Sequence, residues 1–377
     1  MIHGRFIDVK HEDAGDSRNS DLKLDWSEPM QNPFLRNLGW CSSFFLAVVF
    51  AGCTMGPTRL SVGSNAGKVP IRYEYGPWST PENLGSVVNT TANDQHPGIS
   101  PDGLSLYFHS NRAGNVTGSK TGTTDIWVAH RETVGSAFGP AINLGPTFNS
   151  IASDTAPNIS SDGHYLAFGS DRDGGCGGFD IWISHRADTS VDIGDGGWEP
   201  PINMGCTINS AVPEDGPFLL TNPDTGKVTL YFCAQNRTGG LGDWDVWMSE
   251  LKPNGNWSDP VNVAELNTAA RDTRTAFRND GLEMYITSMR AGSVPDATGA
   301  PSLDLWVSTR QRRQDPWGMP SNLDTNINTA SGDGAPVLSP DGTEMFFYSN
   351  KPGGFGGNDL YVTHRSRTQI FPPTARQ

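Results

Sequence analysis

The chain has 377 residues, with 27 Lys and Arg against 41 Asp and Glu for a formal charge of −14, and it carries 44 Gly and 27 Pro. Gly and Pro together make 71 residues, about 19% against roughly 12% in average usage, which argues against a helical bundle. The negative balance, with no long basic run, speaks against a nucleic-acid or anionic-lipid footprint, so no nucleic-acid partner is expected.

Residues 1–29 are polar, charged and aperiodic, and read as a non-native leader or a disordered segment. A secretory signal layout begins at Met30, with Arg36 in the n-region, an apolar run from Gly39 to Phe50, and small Ala51 and Gly52 before Cys53. Val49-Phe50-Ala51-Gly52-Cys53 resembles a bacterial lipobox, with Phe where Leu is more usual. Residues 30–52 are then a lipoprotein-type signal peptide, Cys53 the lipidated first residue, and 53–76 a tether. The other reading is an uncleaved span, because Asn37 to Thr58 carries no charge, although Gly39, Ser42, Ser43, Gly52 and Pro57 dilute it. Either way the bulk of the chain is exported. In the anchored case it sits in the bacterial cell envelope, at the outer membrane on its periplasmic or surface face, touching the membrane only through the lipid.

Downstream, one pattern returns five times at a period near sixty. Trp78-Ser-Thr-Pro-Glu-Asn83-Leu-Gly reappears around Phe138 and Asn143, Trp198 and Asn203, Trp257 and Asn262, and Trp317 and Asn322. A second Asn follows each time, at Asn89, Asn149, Asn209, Asn267 and Asn328. Then comes a short run opening on Asp94, Asp154, Asp215, Asp272 or Asp333, a turn such as Asp102-Gly103 or Asp341-Gly342, and a second run. Asp-Gly between alternating runs predicts a hairpin. The third repeat substitutes the longer Asn222 to Gly226. A basic residue in a Gly-rich loop is next, Arg112, Arg172, Arg237, Arg290 or Lys351. A third run follows, opening on Asp125, Asp180, Asp245, Asp304 or Asp359 with an apolar and an aromatic residue behind it.

Four short strands per repeat predict an all-β chain, a single five-bladed β-propeller of four-stranded antiparallel blades over residues 77–367, with 368–377 as a tail. The fifth unit stops after its third strand, while the region opens with an orphan fourth-strand phrase at Trp78, so the N-terminal strand is expected to close the last blade. Six blades, the alternative, need residues 1–76 to supply one, against their composition. The Ser-Pro-Asp-Gly, Arg-x-Gly-Gly and Asp-Ile-Trp pieces make the region similar to the bacterial WD-like (TolB-type) propeller repeat family. That resemblance implies the propeller fold and an exported lipoprotein, and it names no activity. TolB itself has six blades and a separate N-terminal domain.

Antiparallel order brings the start of the innermost strand, the end of the second and the start of the third to one face. Three charged sets meet there. Each basic residue, Arg112, Arg172, Arg237, Arg290 or Lys351, is expected to form a structural ion pair with a third-strand acid, Asp125, Asp180, Asp245, Asp304 or Asp359. That leaves Asp94, Asp154, Asp215, Asp272 and Asp333 at the channel mouth to bind a ligand, recruit a hard cation such as calcium, or cap backbone N–H groups. No other cofactor is expected. His96 and Arg274 join this binding set, each standing two residues after the acid where other repeats have Ala156, Pro217 or Ala335. Blades one and four have longer loops between basic residue and third-strand acid. No common enzyme motif appears, so the main expectation is a non-catalytic, monomeric propeller that binds an envelope protein or a glycan. The alternative is a glycoside hydrolase at the same mouth, with Asp94, Asp154 and Glu214 as its carboxylates. Cys176 and Cys206 map to this face and are expected to form a disulfide; Cys206 with Cys233, or three free thiols, are the alternatives.

Overall fold

A computed structural model of the chain describes residues 72–189 and 197–370. The leader, the signal-peptide segment, Cys53 and most of the tether lie outside these residues, as does the end of the C-terminal tail. Tyr75–Arg367 form one compact unit, in which five four-stranded antiparallel sheets are arranged as a five-bladed propeller. The first blade runs outward from Asp94–Ile99 through Ser105–Ser110 and Asp125–His130 to Ile142–Asn143. The next four innermost strands are Asp154–Ile159, Glu214–Thr221, Asp272–Phe277 and Asp333–Leu338. Glu82–Asn83 completes the fifth blade by pairing with Val362 and Tyr361, so the N-terminal strand closes the ring. The strands Arg72–Tyr75 and Arg367–Ile370 pair with each other in a separate two-stranded sheet.

Each blade is covered on both faces by its neighbours, so its middle strands bury most of their residues in succession rather than alternate residues. Leu106, Tyr107 and Phe108 in succession are buried, as are Trp127, Trp182, Trp247 and Trp306 on the third strands. The outer strand is only two residues long, and the second Asn of each repeat extends its ladder with a side-chain amide. Asn149 accepts the Ile126 N–H at 2.8 Å and donates to the Ile126 carbonyl at 3.0 Å and to Asn143 Oδ1 at 3.0 Å. Asn89, Asn209, Asn267 and Asn328 bracket Leu360, Ile181, Val246 and Leu305 in the same way. Asn suits the position because its amide presents a donor and an acceptor much as a peptide group does.

A second basic set was not singled out from the sequence. Arg131, Arg186, Arg310 and Arg365 follow the third strand and donate from Nε to the carbonyl of the hairpin glycine, Gly103, Gly163, Gly281 and Gly342. Each guanidinium lies over the next fourth-strand aromatic, Phe138, Trp198, Trp317 or Trp78. Blade three, with its longer turn, has Leu251 there.

Candidate functional site

The face that gathers the charged sets is built from a clamp repeated around the ring. Asp94 Oδ2 accepts from the Thr90 N–H at 2.6 Å and its hydroxyl at 3.0 Å, and Oδ1 accepts from Ser110 Oγ at 2.6 Å and Arg112 Nη2 at 2.5 Å. Asp154 repeats this with Ser170 and Arg172, and Asp272 with Ser288 and Arg290. Asp333 accepts from Thr329, while Lys351 sets its ammonium over the Tyr361 ring at 3.9 Å. All four carboxylates are fully buried.

Two expectations are corrected here. The arginines lock onto innermost-strand acids, and those acids do not face the channel as unpartnered carboxylates. The third-strand acids have other partners: Asp125 accepts the Val116 N–H at 2.7 Å and Asn143 Nδ2 at 2.8 Å, and Asp359 accepts the Phe355 N–H and Asn83 Nδ2. Asp180, Asp245 and Asp304 likewise hold the N–H groups of Cys176, Leu241 and Val294 in their own loops. Arg112 lies 5.1 Å from the Trp127 ring centroid, and from there its guanidinium reaches Asp94.

Blade three requires a third correction. Glu214, not Asp215, holds the repeat position, standing opposite Ala234 as Asp94 stands opposite Ser110. It accepts from Ser210 and from Arg237 at 3.2 Å. The longer acid accompanies the loss of the serine hydroxyl at Ala234. Burial pushes the Glu214 carboxyl up to about 7, opposed by its Ser210 hydrogen bonds and the Arg237 charge. A spacing signal was available, since the acid falls five residues after the second Asn in every repeat, Asn89 to Asp94 and Asn209 to Glu214 alike.

Displaced by one residue, Asp215 points to the other side of its strand and links three blades. Its Oδ2 receives Arg274 Nη2 at 2.5 Å and its Oδ1 receives Thr155 Oγ1 at 3.0 Å. Nearby, a cavity of about 30 Å³ between the innermost strands is lined from all five blades by His96, Ala156, Gly216, Arg274 and Ala335, with residues that follow them. Those five share one repeat position, so Gly216 rather than Pro217 is the blade-three counterpart, and all have left-handed φ between 47 and 62°. The Ala156 N–H donates across the blade seam to His109 Nδ1 at 3.1 Å, and the Ala335 N–H to Thr287 Oγ1 at 2.9 Å. Gly169 offers no side chain at this second-strand position. There the Asp215 carboxylate takes the Gly216 N–H at 2.7 Å, in space that a Cβ on Gly169 would fill.

A left-handed residue other than glycine carries strain of order 1 kcal/mol or more. Three blades keep the position small, whereas His96 and Arg274 are large. The His96 ring stands edge-on to His109 and Tyr348, at centroid distances of 4.5 and 5.2 Å, and its buried Nδ1 has no hydrogen-bond partner. Burial, reinforced by the Arg274 charge, holds His96 well below the usual imidazole range, and burial holds His109 at about 4. Burial alone would loosen the Arg274 proton, but the Asp215 carboxylate outweighs it and keeps the guanidinium charged. The buried Cys233 thiol, pushed up by burial, donates to the Asp215 carbonyl and accepts from Arg274 Nη1. Of the sequence-derived binding set, His96, Asp215 and Arg274 therefore meet at the axis, and Asp94, Asp154, Asp272 and Asp333 stay in their clamps. His109, Tyr348 and Thr155 were missed.

No family model and no curated protein matches the chain. Among solved structures it is similar to a thermostable family-43 glycoside hydrolase, at 13% identity and TM-score 0.47, over 77% of this chain and 96% of that one. An endo-arabinase from Bacteroides thetaiotaomicron gives 17% and 0.46, over 80% and 100%. TolB from Acinetobacter baumannii gives 14% and 0.41, over 77% and 63%. At these identities the likeness concerns the fold.

Among the described residues no three acidic, imidazole or thiol groups converge to hold a metal ion. Asp94, Asp154 and Asp272 have both carboxylate oxygens hydrogen-bonded within their clamps. Cys176 and Cys206 are joined in a disulfide with Cα atoms 5.7 Å apart, and Cys233 is free and buried.

Proposed function

We propose that this chain is a non-catalytic binding propeller of the bacterial cell envelope, lipid-anchored through Cys53, which recognises its partner at the axial mouth of the acid-bearing face. One observation carries the reading. At a repeat position that is Ala or Gly in three blades, two blades bear His96 and Arg274, large side chains on a left-handed turn that small residues make elsewhere in the ring. Loops on the same face, longest in blades one and four, would frame the ligand, a glycan or an envelope protein. The test is a glycan array and an envelope pull-down with the parent chain and His96→Ala. A specific capture lost in the variant supports the reading, and the same captures by both proteins refute it. Cys53→Ser is expected to abolish fatty-acid labelling of the chain.

A second reading, hydrolysis of a glycan at this mouth, is favoured by one feature: Glu214, with its carboxyl pushed up to about 7, adjoins Asp215. A carboxyl raised toward neutral pH is what a general acid needs. The clamp around Glu214, closed by Ser210 and Arg237, weighs against it. Sugar release that disappears in both Glu214→Gln and Asp215→Asn would replace the binding reading with this one.

A further inference from the structure

Resting on the binding reading above, we propose that the axial cavity seats a single carboxylate group of a small ligand, held by Arg274 and His96. Size comes first. A buried water needs roughly 10–15 Å³ of space, so about 30 Å³ holds two waters or the three heavy atoms of one carboxylate. A sugar ring does not enter, although an acid group projecting from one does.

Charge and hydrogen bonding select the same group. The repeat acids are turned into their clamps, which leaves the Arg274 guanidinium as the cation lining the cavity. Arg274 gives one Nη2 proton to Asp215 and one Nη1 proton to Cys233, out of five N–H donors. The remaining protons suit a planar acceptor. His96 Nδ1 is buried without a partner, an arrangement that costs about 1–3 kcal/mol unless a ligand satisfies it. The left-handed turn itself needs neither side chain, since Ala156, Gly216 and Ala335 make it as well.

The experiment titrates the full mature chain with sodium acetate and sodium glucuronate, at ionic strength matched with sodium chloride, and with acetamide as a neutral isostere. The readouts are calorimetry and the His96 imidazole resonances. One saturable acetate site is expected, with no response to acetamide. His96→Ala, which installs the side chain of blades two and five, is expected to weaken acetate about tenfold or more. Asp215→Asn, which removes the competing carboxylate, is expected to strengthen it. Tighter glucuronate than acetate marks a sugar acid as the source of the carboxylate, and equal binding marks a simple organic acid. No saturable acetate site, chloride binding as well as acetate, or an unchanged affinity in His96→Ala overturns the proposal. Partner capture that persists without acetate binding overturns it while leaving the binding reading intact. Acetate binding without capture does the reverse.

Discussion

Replacing His109 by threonine tests how the seam between blades one and two is held. His109 Nδ1 accepts the Ala156 N–H at 3.1 Å from a ring that is 4% exposed. Burial holds its pKa at about 4, against 6.5 for a free imidazole. Between those values the folded chain binds fewer protons than the unfolded chain. The stability gained from a neutral His109 is therefore fully present above pH 6.5 and is lost as the pH falls toward 4. A shift of this size corresponds to about 3 kcal/mol. His109→Thr removes the titration and keeps an acceptor, because Thr287 Oγ1 already takes the Ala335 N–H at the seam between blades four and five. The lost ring volume lowers stability at every pH, so the informative quantity is a difference of differences. Urea unfolding of parent and variant at pH 7 and pH 4 is expected to show the parent losing about 3 kcal/mol more than the variant. Parallel losses would mean that the seam does not hold His109 neutral, and the account of the axis would fail with it.

Other perturbations probe the remaining devices. A Cβ in Gly169→Ala collides with Asp215 Oδ1, pushes the carboxylate off Arg274 and is expected to destabilise by about 3–5 kcal/mol; a variant that melts with the parent refutes the three-blade link. Glu214→Asp and Ala234→Ser are each expected to destabilise blade three while the pair together recovers, with a coupling of about 1 kcal/mol in a double-mutant cycle. Additive losses would show that the two positions do not compensate. Cys176→Ser opens a crosslink across 30 residues of sequence and is expected to lower stability by about 3–4 kcal/mol, equal to the effect of reducing the parent. Deleting residues 77–89 leaves Asp359–His364 as a bare edge, which should bring aggregation and loss of cooperative melting; a cooperatively melting deletion would sink ring closure by this segment.

The blade number and the closure were legible in the sequence because they are periodic. A ring of identical units repeats its turns, its Asn brackets and its buried aromatics, and the orphan phrase at Trp78 matches the strand missing after Arg365. The partner of each arginine was not legible. Arg112 stands between Asp94 and Asp125 in sequence, and only the course of its side chain over Trp127 delivers it to the first. Residue type misled at Asp215, where constant spacing pointed to Glu214, because the clamp takes the longer acid where position 234 lacks a hydroxyl.

The axis was the least legible region. His109, Gly169, Cys233, Thr287 and Tyr348 share a position but no chemistry, and each acts on the neighbouring blade. Local hydrogen bonds and strand alternation are encoded within one repeat, so one repeat suffices to read them. Contacts at the centre of a ring join residues some sixty positions apart, as Thr155 and Asp215 do, and their geometry is set only when neighbouring blades pack against one another.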